Sequence, residues 1–329
     1  MKREYIKSLA LLIVGVAALV IYIVYAIDVE KFLRVISGAN ALFALSILCA
    51  FTATFLYSYG WHILLKDRYD SVSFKKVYIL TTASIYLNLI IPSASASGEA
   101  FRIYESSKSL GDPSIAVSTI LLHRLFMFIP FVTGAFVGCM YLNSIATTGY
   151  ASKVLLFSSI ILTVAFIFFT VLIVKPSLLS KPIGKVYRCL RRDPSKITKM
   201  LIDMEKNMRL HGKATLAKLL IVSFLYWFID NMVLFFALAS LGVYARIELI
   251  LLVYAVTVLI QTIPIGIPGM IGVVDVVRTE LFTVAGIPRE IGISASILTD
   301  IAMVFFLALY SFIFYVLQVG KFRGCEITH

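Results

Sequence analysis

Charged and polar positions divide the chain into eight apolar runs: Ser8–Ile27, Ala41–Leu65, Val77–Ile91, Ile115–Leu142, Val154–Val174, Leu216–Leu241, Leu249–Ile267 and Ile291–Val319. A helix needs about 20 apolar residues to cross a hydrocarbon core. Six runs are long enough. Val77–Ile91 has only 15 residues, and Leu249–Ile267 has 19 but runs into Pro264 and Pro268. Only helices or closed barrels satisfy their backbone within a bilayer, and runs of this length are helical. The expected class is therefore an all-α polytopic membrane protein. Composition agrees: of 329 residues 60% are hydrophobic and 15% charged, with a mean hydropathy of +0.95. A soluble enzyme, a disordered chain and a collagen-like chain are excluded.

The formal net charge is +12. Its placement argues against nucleic acid: Lys175 to Lys213 holds eleven Lys and Arg against three acids, a net of +8 in one loop between apolar runs. Such a loop marks the cytoplasmic side and offers a patch to anionic headgroups. If all eight runs cross, 18 basic residues fall inside and 11 outside. If the two anomalous runs enter and return on one side, the division is 23 to 6. The second arrangement fits better: six crossing helices, two re-entrant helical hairpins, and both termini cytoplasmic in the cell membrane. Ser8–Ile27 lacks a small-residue cleavage site and reads as a retained span.

A lag of 176 residues pairs the anomalous regions: Pro92 with Pro268, Glu99 with Asp275, Arg102 with Arg278, Ser118 with Ser294, Arg124 with Asp300 and Met127 with Met303. Two repeats follow. Residues 1–152 hold two spans, a hairpin near 77–108 and a third span. Residues 153–329 hold the basic loop 175–213, a hairpin near 249–285 and the remaining spans. Three crossings per half place the halves in opposite orientations, an inverted repeat of the kind secondary transporters use.

The first hairpin carries Pro92, Ser93, Ser95, Ser97 and Gly98; the second carries Pro264, Pro268, Gly269 and Gly272. Proline breaks a helix, and the new half-helix presents free N–H groups. Two such ends at a cavity suit an anion, phosphate above all, with the three serines adding hydroxyls. Ordinary proline kinks in crossing helices are the bland alternative. Glu99/Arg102 and Asp275/Arg278 are each spaced to share a helical face. They fit internal salt bridges, and equally a pair of phosphate-holding arginines oriented by acids. Arg124 and Asp300 are each the tenth residue of their runs, roughly 15 Å deep, where a charge costs about 3 kcal/mol. An Arg124–Asp300 ion pair across the repeat interface is the simplest solution. Asp230 is a third embedded acid, satisfied by capping, hydrogen bonding or protonation.

No Walker A, HExxH, GxSxG or CxxC pattern occurs, the four histidines are scattered, and the four cysteines form no framework. No cofactor, metal or catalysis is implied. Ile197, Met200, Leu201, Met204 and Met208 recur at helical spacing in the basic loop. They read as an amphipathic helix on the membrane surface, or as a solvated linker.

Pro92…Gly98-Glu99…Arg102, then Arg124, then Pro268-Gly269-Met270-Ile271-Gly272…Asp275 resemble the transmembrane-region family of lysylphosphatidylglycerol synthases and flippases, over about Tyr5 to Gly320. The family is fused to synthases in bacteria and stands alone in bacteria and archaea. Two departures stand out: Met270 replaces the middle glycine of the family's second motif, and Asp275 its glutamate. The chain ends at His329 without an aminoacyltransferase domain. The resemblance thus implies lipid translocation rather than lipid synthesis. It carries over Glu99, Arg102, Arg124, Gly269, Gly272 and Asp275 as cavity residues.

The expected function is a flippase or scramblase moving a phospholipid or polyprenyl-phosphate headgroup, with Ser93, Ser95, Ser97, Arg278 and Asp300 completing the site. Its partners are membrane lipids, anionic or phosphate-bearing, and a lipid-synthesising enzyme or glycosyltransferase. The competing readings are an intramembrane lipid-modifying transferase with Glu99 or Asp300 as base, and a non-transporting partner of a glycosyltransferase.

Overall fold

The computed structural model describes residues 28–91, 95–145, 174–189, 193–261 and 270–325, together with Val24, Tyr25, Val164, Ile167, Val171 and Ile267. Among these residues the secondary structure is helical throughout. Four stretches are long and apolar enough to cross a membrane: Phe43–Lys66, Pro113–Gly138, Lys213–Ser240 and Arg289–Gln318. They coincide with four of the six expected crossings. The other two, Ser8–Ile27 and Val154–Val174, fall largely outside the described residues.

A short amphipathic helix α1 (Val29–Ser37) precedes α2 (Phe43–Lys66), α3 (Phe74–Ile90), α4 (Ala96–Leu110) and α5 (Pro113–Ile145). After the basic loop's α6 (Ser180–Cys189) and α7 (Ser195–Arg209) come α8 (Lys213–Ser240), α9 (Ile247–Gln261), α10 (Val273–Val284) and α11 (Arg289–Asp300). A π-helical turn over Ile301–Phe306 then leads into α12 (Leu307–Cys325). Two sets of four therefore recur in one order. Pro113 opens α5 and Arg289, 176 positions on, opens α11.

The packing follows the same exchange. Helix α2 lies against its counterpart α8. Helix α3 packs on the π turn's continuation α12, and its counterpart α9 packs on α5. Each hairpin also packs on the span that follows it, α4 on α5 and α10 on α11. Helices α2 and α8 run antiparallel. At one end the Asn40 amide donates to the Ser240 carbonyl at 3.0 Å. At the other, Asp67 accepts from the Thr215 hydroxyl at 2.6 Å and lies 2.9 Å from His211 Nδ1. Both helices are apolar around their whole circumference, so burial cannot be one-sided. Their inner residues (Ala50, Leu64, Val233, Leu238) are buried, while Leu48, Phe55, Ile221 and Phe228 stay exposed, as lipid-facing residues do.

Helices α3 and α4 have 17 and 15 residues, about 25 and 22 Å at 1.5 Å per residue. Each is shorter than a core of about 30 Å, and the two pack on each other as a helical hairpin. Its tip is held by Asn88, whose Oδ1 accepts from the Gly98 amide at 2.7 Å and the Ser97 hydroxyl at 3.3 Å. Gly98 permits the approach: a Cβ there would lie 2.4 Å from the Ser84 carbonyl oxygen. Chain reversal places Ser95 in the left-handed region at φ 68. In the second hairpin Met270 takes φ 55 and Gly272 φ 89. Met270 occupies a conformation natural to glycine, and its buried side chain packs with Ile267 and Val274.

The fourth helix of each half is irregular. Pro130 lies inside α5, and the π turn interrupts α11–α12. In the basic loop, Leu201, Met204 and Met208 of α7 are buried, and α7 packs on α5 and α6. The Asn207 amide donates to the Ser114 hydroxyl at 3.0 Å. The apolar stripe that suggested a membrane-surface helix or a free linker is instead covered by protein.

Burial raises the Asp67 carboxyl, but hydrogen bonds from Thr215 and His211 outweigh it and hold its pKa below the usual value. A depressed folded pKa stabilises above the unfolded value near 3.9 and loses that contribution as pH falls through the folded value. Asp67→Ala should therefore lower stability at neutral pH by about 1–2 kcal/mol. The deficit should shrink below about pH 4, read from thermal unfolding in detergent across pH.

Candidate functional site

Two charged clusters lie where the hairpins meet the following spans. In the first, Glu99 sits in the first turn of α4, where the helix dipole favours a carboxylate. Arg124 of α5 donates from Nε to Glu99 Oε1 at 2.8 Å, and Arg102 Nη1 reaches Oε2 at 3.1 Å. The Tyr57 hydroxyl of α2 donates to the same carboxylate at 3.4 Å. The Arg102 side chain is 0% exposed, Glu99 15% and Arg124 27%. Arg102 is thus a buried support, and Arg124 the accessible cation. The Arg102 guanidinium stacks 4.0 Å from the Trp61 ring. That contact compensates Nε and Nη2, which have no hydrogen-bond partner among the described residues.

In the second cluster, Arg278 of α10 donates to Asp300 Oδ1 at 2.8 Å, to Ser296 Oγ at 3.2 Å and to Thr257 Oγ1 at 3.3 Å. Asp275 does not pair with Arg278 directly. Its Oδ2 accepts from the Gly272 amide at 2.8 Å and its Oδ1 from the Ser296 hydroxyl at 2.5 Å. It caps α10 and reaches the arginine through Ser296.

The expected Arg124–Asp300 pair is replaced by Arg124–Glu99 and Arg278–Asp300. The cause is local. Each hairpin returns beside its own following span, so the nearest opposite charge belongs to the same half. Glu99, Arg102 and Arg124 sum to +1; Asp275, Arg278 and Asp300 sum to −1. Position 124 and its repeat partner 300 carry opposite charges, and the two halves neutralise each other only together.

A cavity of about 280 Å³ opens beside the first cluster. Tyr57, Asn88, Ser95, Glu99 and Arg124 line it from the first half, and Asp230, Tyr254 and Met303 from the second. A groove of about 570 Å³ opens beside the second cluster. Its wall is apolar, with Tyr86 and Ile90 of α3 facing Phe305, Leu309 and Phe312, and Asp275 and Asp300 at its polar end. Phe305 is 58% exposed and Leu309 54%, so this groove faces outward from the bundle. Among the described residues no cluster of histidine, cysteine and acidic side chains suits a metal.

Of the residues singled out from sequence, Ser95, Glu99 and Arg124 meet at the cavity, and Asp275 and Asp300 at the groove. Ser97 closes the hairpin tip, also donating to the Leu87 carbonyl at 3.1 Å. Gly272 holds the Asp275 cap, and Arg278 is a buried tie. Ser93 and Gly269 lie outside the described residues. Sequence reading missed Tyr57, Trp61, Asn88, Thr257 and Ser296. Asn88, a lone amide four residues before Pro92 at the end of an apolar run, was the available signal.

The lysylphosphatidylglycerol synthase transmembrane region matches residues 8–311. The chain belongs to that family. It is a multi-pass membrane protein, as the four candidate spans require. A UPF0104 membrane protein of Pyrococcus horikoshii is 27% identical over 312 residues, 89% of this chain and 91% of the relative. One from Methanocaldococcus jannaschii is 26% identical over 317 residues, 91% of each chain. One from Methanothermobacter thermautotrophicus is 24% identical over 329 residues, covering 91% and 90%. No solved structure matches the chain. Both charged clusters fall inside the matched residues.

Because Arg124 pairs with Glu99 and Arg278 with Asp300, each within its own half, a double-mutant cycle between Glu99→Gln and Arg124→Gln should show a coupling of about 1–3 kcal/mol. The cycle between Arg124→Gln and Asp300→Asn should be additive within about 0.5 kcal/mol. Thermal unfolding in detergent reads both. Strong coupling in the second cycle would restore the cross-interface pair.

Proposed function

We propose that the protein is a lipid flippase or scramblase of the cell membrane rather than a transferase. In this reading its halves form an inverted repeat of six crossings and two re-entrant hairpins, and both termini are cytoplasmic. The observation that carries the reading is the cavity at Arg124 and Glu99, built jointly by both halves inside a bundle of membrane helices. A polar chamber at the junction of antiparallel halves is what alternating access needs: small rotations of one half against the other open it to either face.

The headgroup is anionic, phosphate-bearing and drawn to Arg124, whose planar fork suits phosphate. Glu99 orients that fork and sets its charge. Ser95 brings a hydroxyl at the tip of α3–α4, beside the N-terminal end of α4, where the helix dipole favours an anion. The groove between Tyr86 and Phe305 supports the second part of the reading: acyl or polyprenyl chains stay in an apolar channel while the headgroup passes inward. Glu99 is engaged by two arginines and Asp300 by one. Carboxylates held in ion pairs serve here as anchors for the arginines, an arrangement that favours headgroup binding over lipid modification. The basic loop supplies a surface for anionic lipids and for a lipid-synthesising or glycosyltransferase partner.

Proteoliposomes carrying the full chain test this. Headgroup exchange of a fluorescent phosphatidylglycerol or a short polyprenyl phosphate should be accelerated well above protein-free vesicles. Arg124→Ala should reduce that rate by about tenfold or more, with folding checked by gel filtration and circular dichroism. Folded protein that accelerates neither class of lipid would overturn the assignment.

A further inference from the structure

We infer that Asp230 is a proton-binding site within the headgroup cavity, and that the proton and an anionic headgroup bind together. Asp230 lies in the middle of α8, is 3% exposed and lines the cavity that Arg124 and Glu99 line from the other half. No lysine or arginine among the described residues forms an ion pair with it. Its partners are phenols: the Tyr254 hydroxyl of α9 donates to Oδ2, and Tyr226, one turn earlier on α8, lines the same cavity.

None of the other groups facing it brings a cation into contact with its carboxylate. Helix α2 contributes Cys49 and Tyr57, α4 contributes Glu99, and α5 contributes Arg124, which is already paired with Glu99. The π turn after α11 contributes only Met303. An unpaired carboxylate removed from water costs several kcal/mol, and taking up a proton removes that cost. The repeat gives the same sign from another direction. The residue 176 positions before Asp230 is Thr54, also at the cavity wall. The acid is therefore an addition in one half, not part of the shared scaffold.

The charge arithmetic links the two ligands. Glu99, Arg102 and Arg124 leave the cavity at +1, which one anionic phosphate neutralises. An ionised Asp230 cancels that +1 and removes the attraction. Protonated Asp230 restores it, and by reciprocity a bound anion favours the proton. Headgroup entry thus carries a proton in, and loss of the proton to either face favours headgroup release. The identity of the ligand rests on the transport reading; the proton site does not.

Two measurements on the full chain in nanodiscs separate these. Infrared spectra should show a protonated-carboxyl C=O band at about pH 5.5 that weakens toward about pH 8.5 and is missing in Asp230→Asn. Identical spectra for wild type and variant overturn the proton site, whatever lipid is carried. Binding of dioctanoyl phosphatidylglycerol, whose phosphodiester does not titrate in this range, should be about tenfold tighter at the lower pH. Asp230→Asn should bind tightly at both. Equal wild-type affinity at the two pH values, or a variant that keeps the pH dependence, overturns the linkage. Failure of this lipid to bind at any pH counts against the transport reading, and the infrared result then decides the proton site alone.

Discussion

The six ionisable side chains of the two clusters, set inside a bundle of apolar helices, have to be neutralised where they stand, and the rest of the architecture follows from how that is done. Water is scarce there, so each arginine needs a carboxylate within hydrogen-bond reach. The α3–α4 and α9–α10 hairpins meet the need by returning partway through the bundle. Each return sets a polar first turn beside the next span. Glu99 reaches Arg102 and Arg124, and Arg278 reaches Asp300. Without the reversals at Ser95 and Gly272, these charges would be stranded on separate helices.

The two clusters solve one problem with opposite surplus charge. The first exposes an arginine to a cavity shared by both halves; the second turns the Asp300 carboxylate toward an outward apolar groove. Cavity and groove therefore present charge of opposite sign. That asymmetry arises from a single repeat position, Arg124 in one half and Asp300 in the other.

Run length and embedded proline made the hairpins legible before any coordinates. The 15-residue run at Val77–Ile91 is short for a crossing, and it folds as the 17-residue α3, which packs on α4. The lag of 176 also separates the first residues of α5 and α11, Pro113 and Arg289. The pairing of charges was not legible. Depth along a helix can be counted from sequence, but azimuth cannot, so Arg124 and Asp300 looked like natural partners at equal depth. The turn chemistry held by Asn88 and the stacking of Arg102 on Trp61 depend on contacts between elements far apart in the chain. Nothing local to those residues announces them. The basic loop misled for a related reason: the stripe on α7 is real, but only the fold shows that α5 covers it.

Pro130 and the end of the π turn at Phe306 stand 176 positions apart. Proline withholds a backbone donor, and a π turn widens the ladder; both weaken the rung-to-rung stiffness that keeps a helix straight. The longest rod in each half is therefore jointed at the same level by different chemistry. The segments that carry Arg124 and Asp300 lie before these joints, each tied to its hairpin by an ion pair.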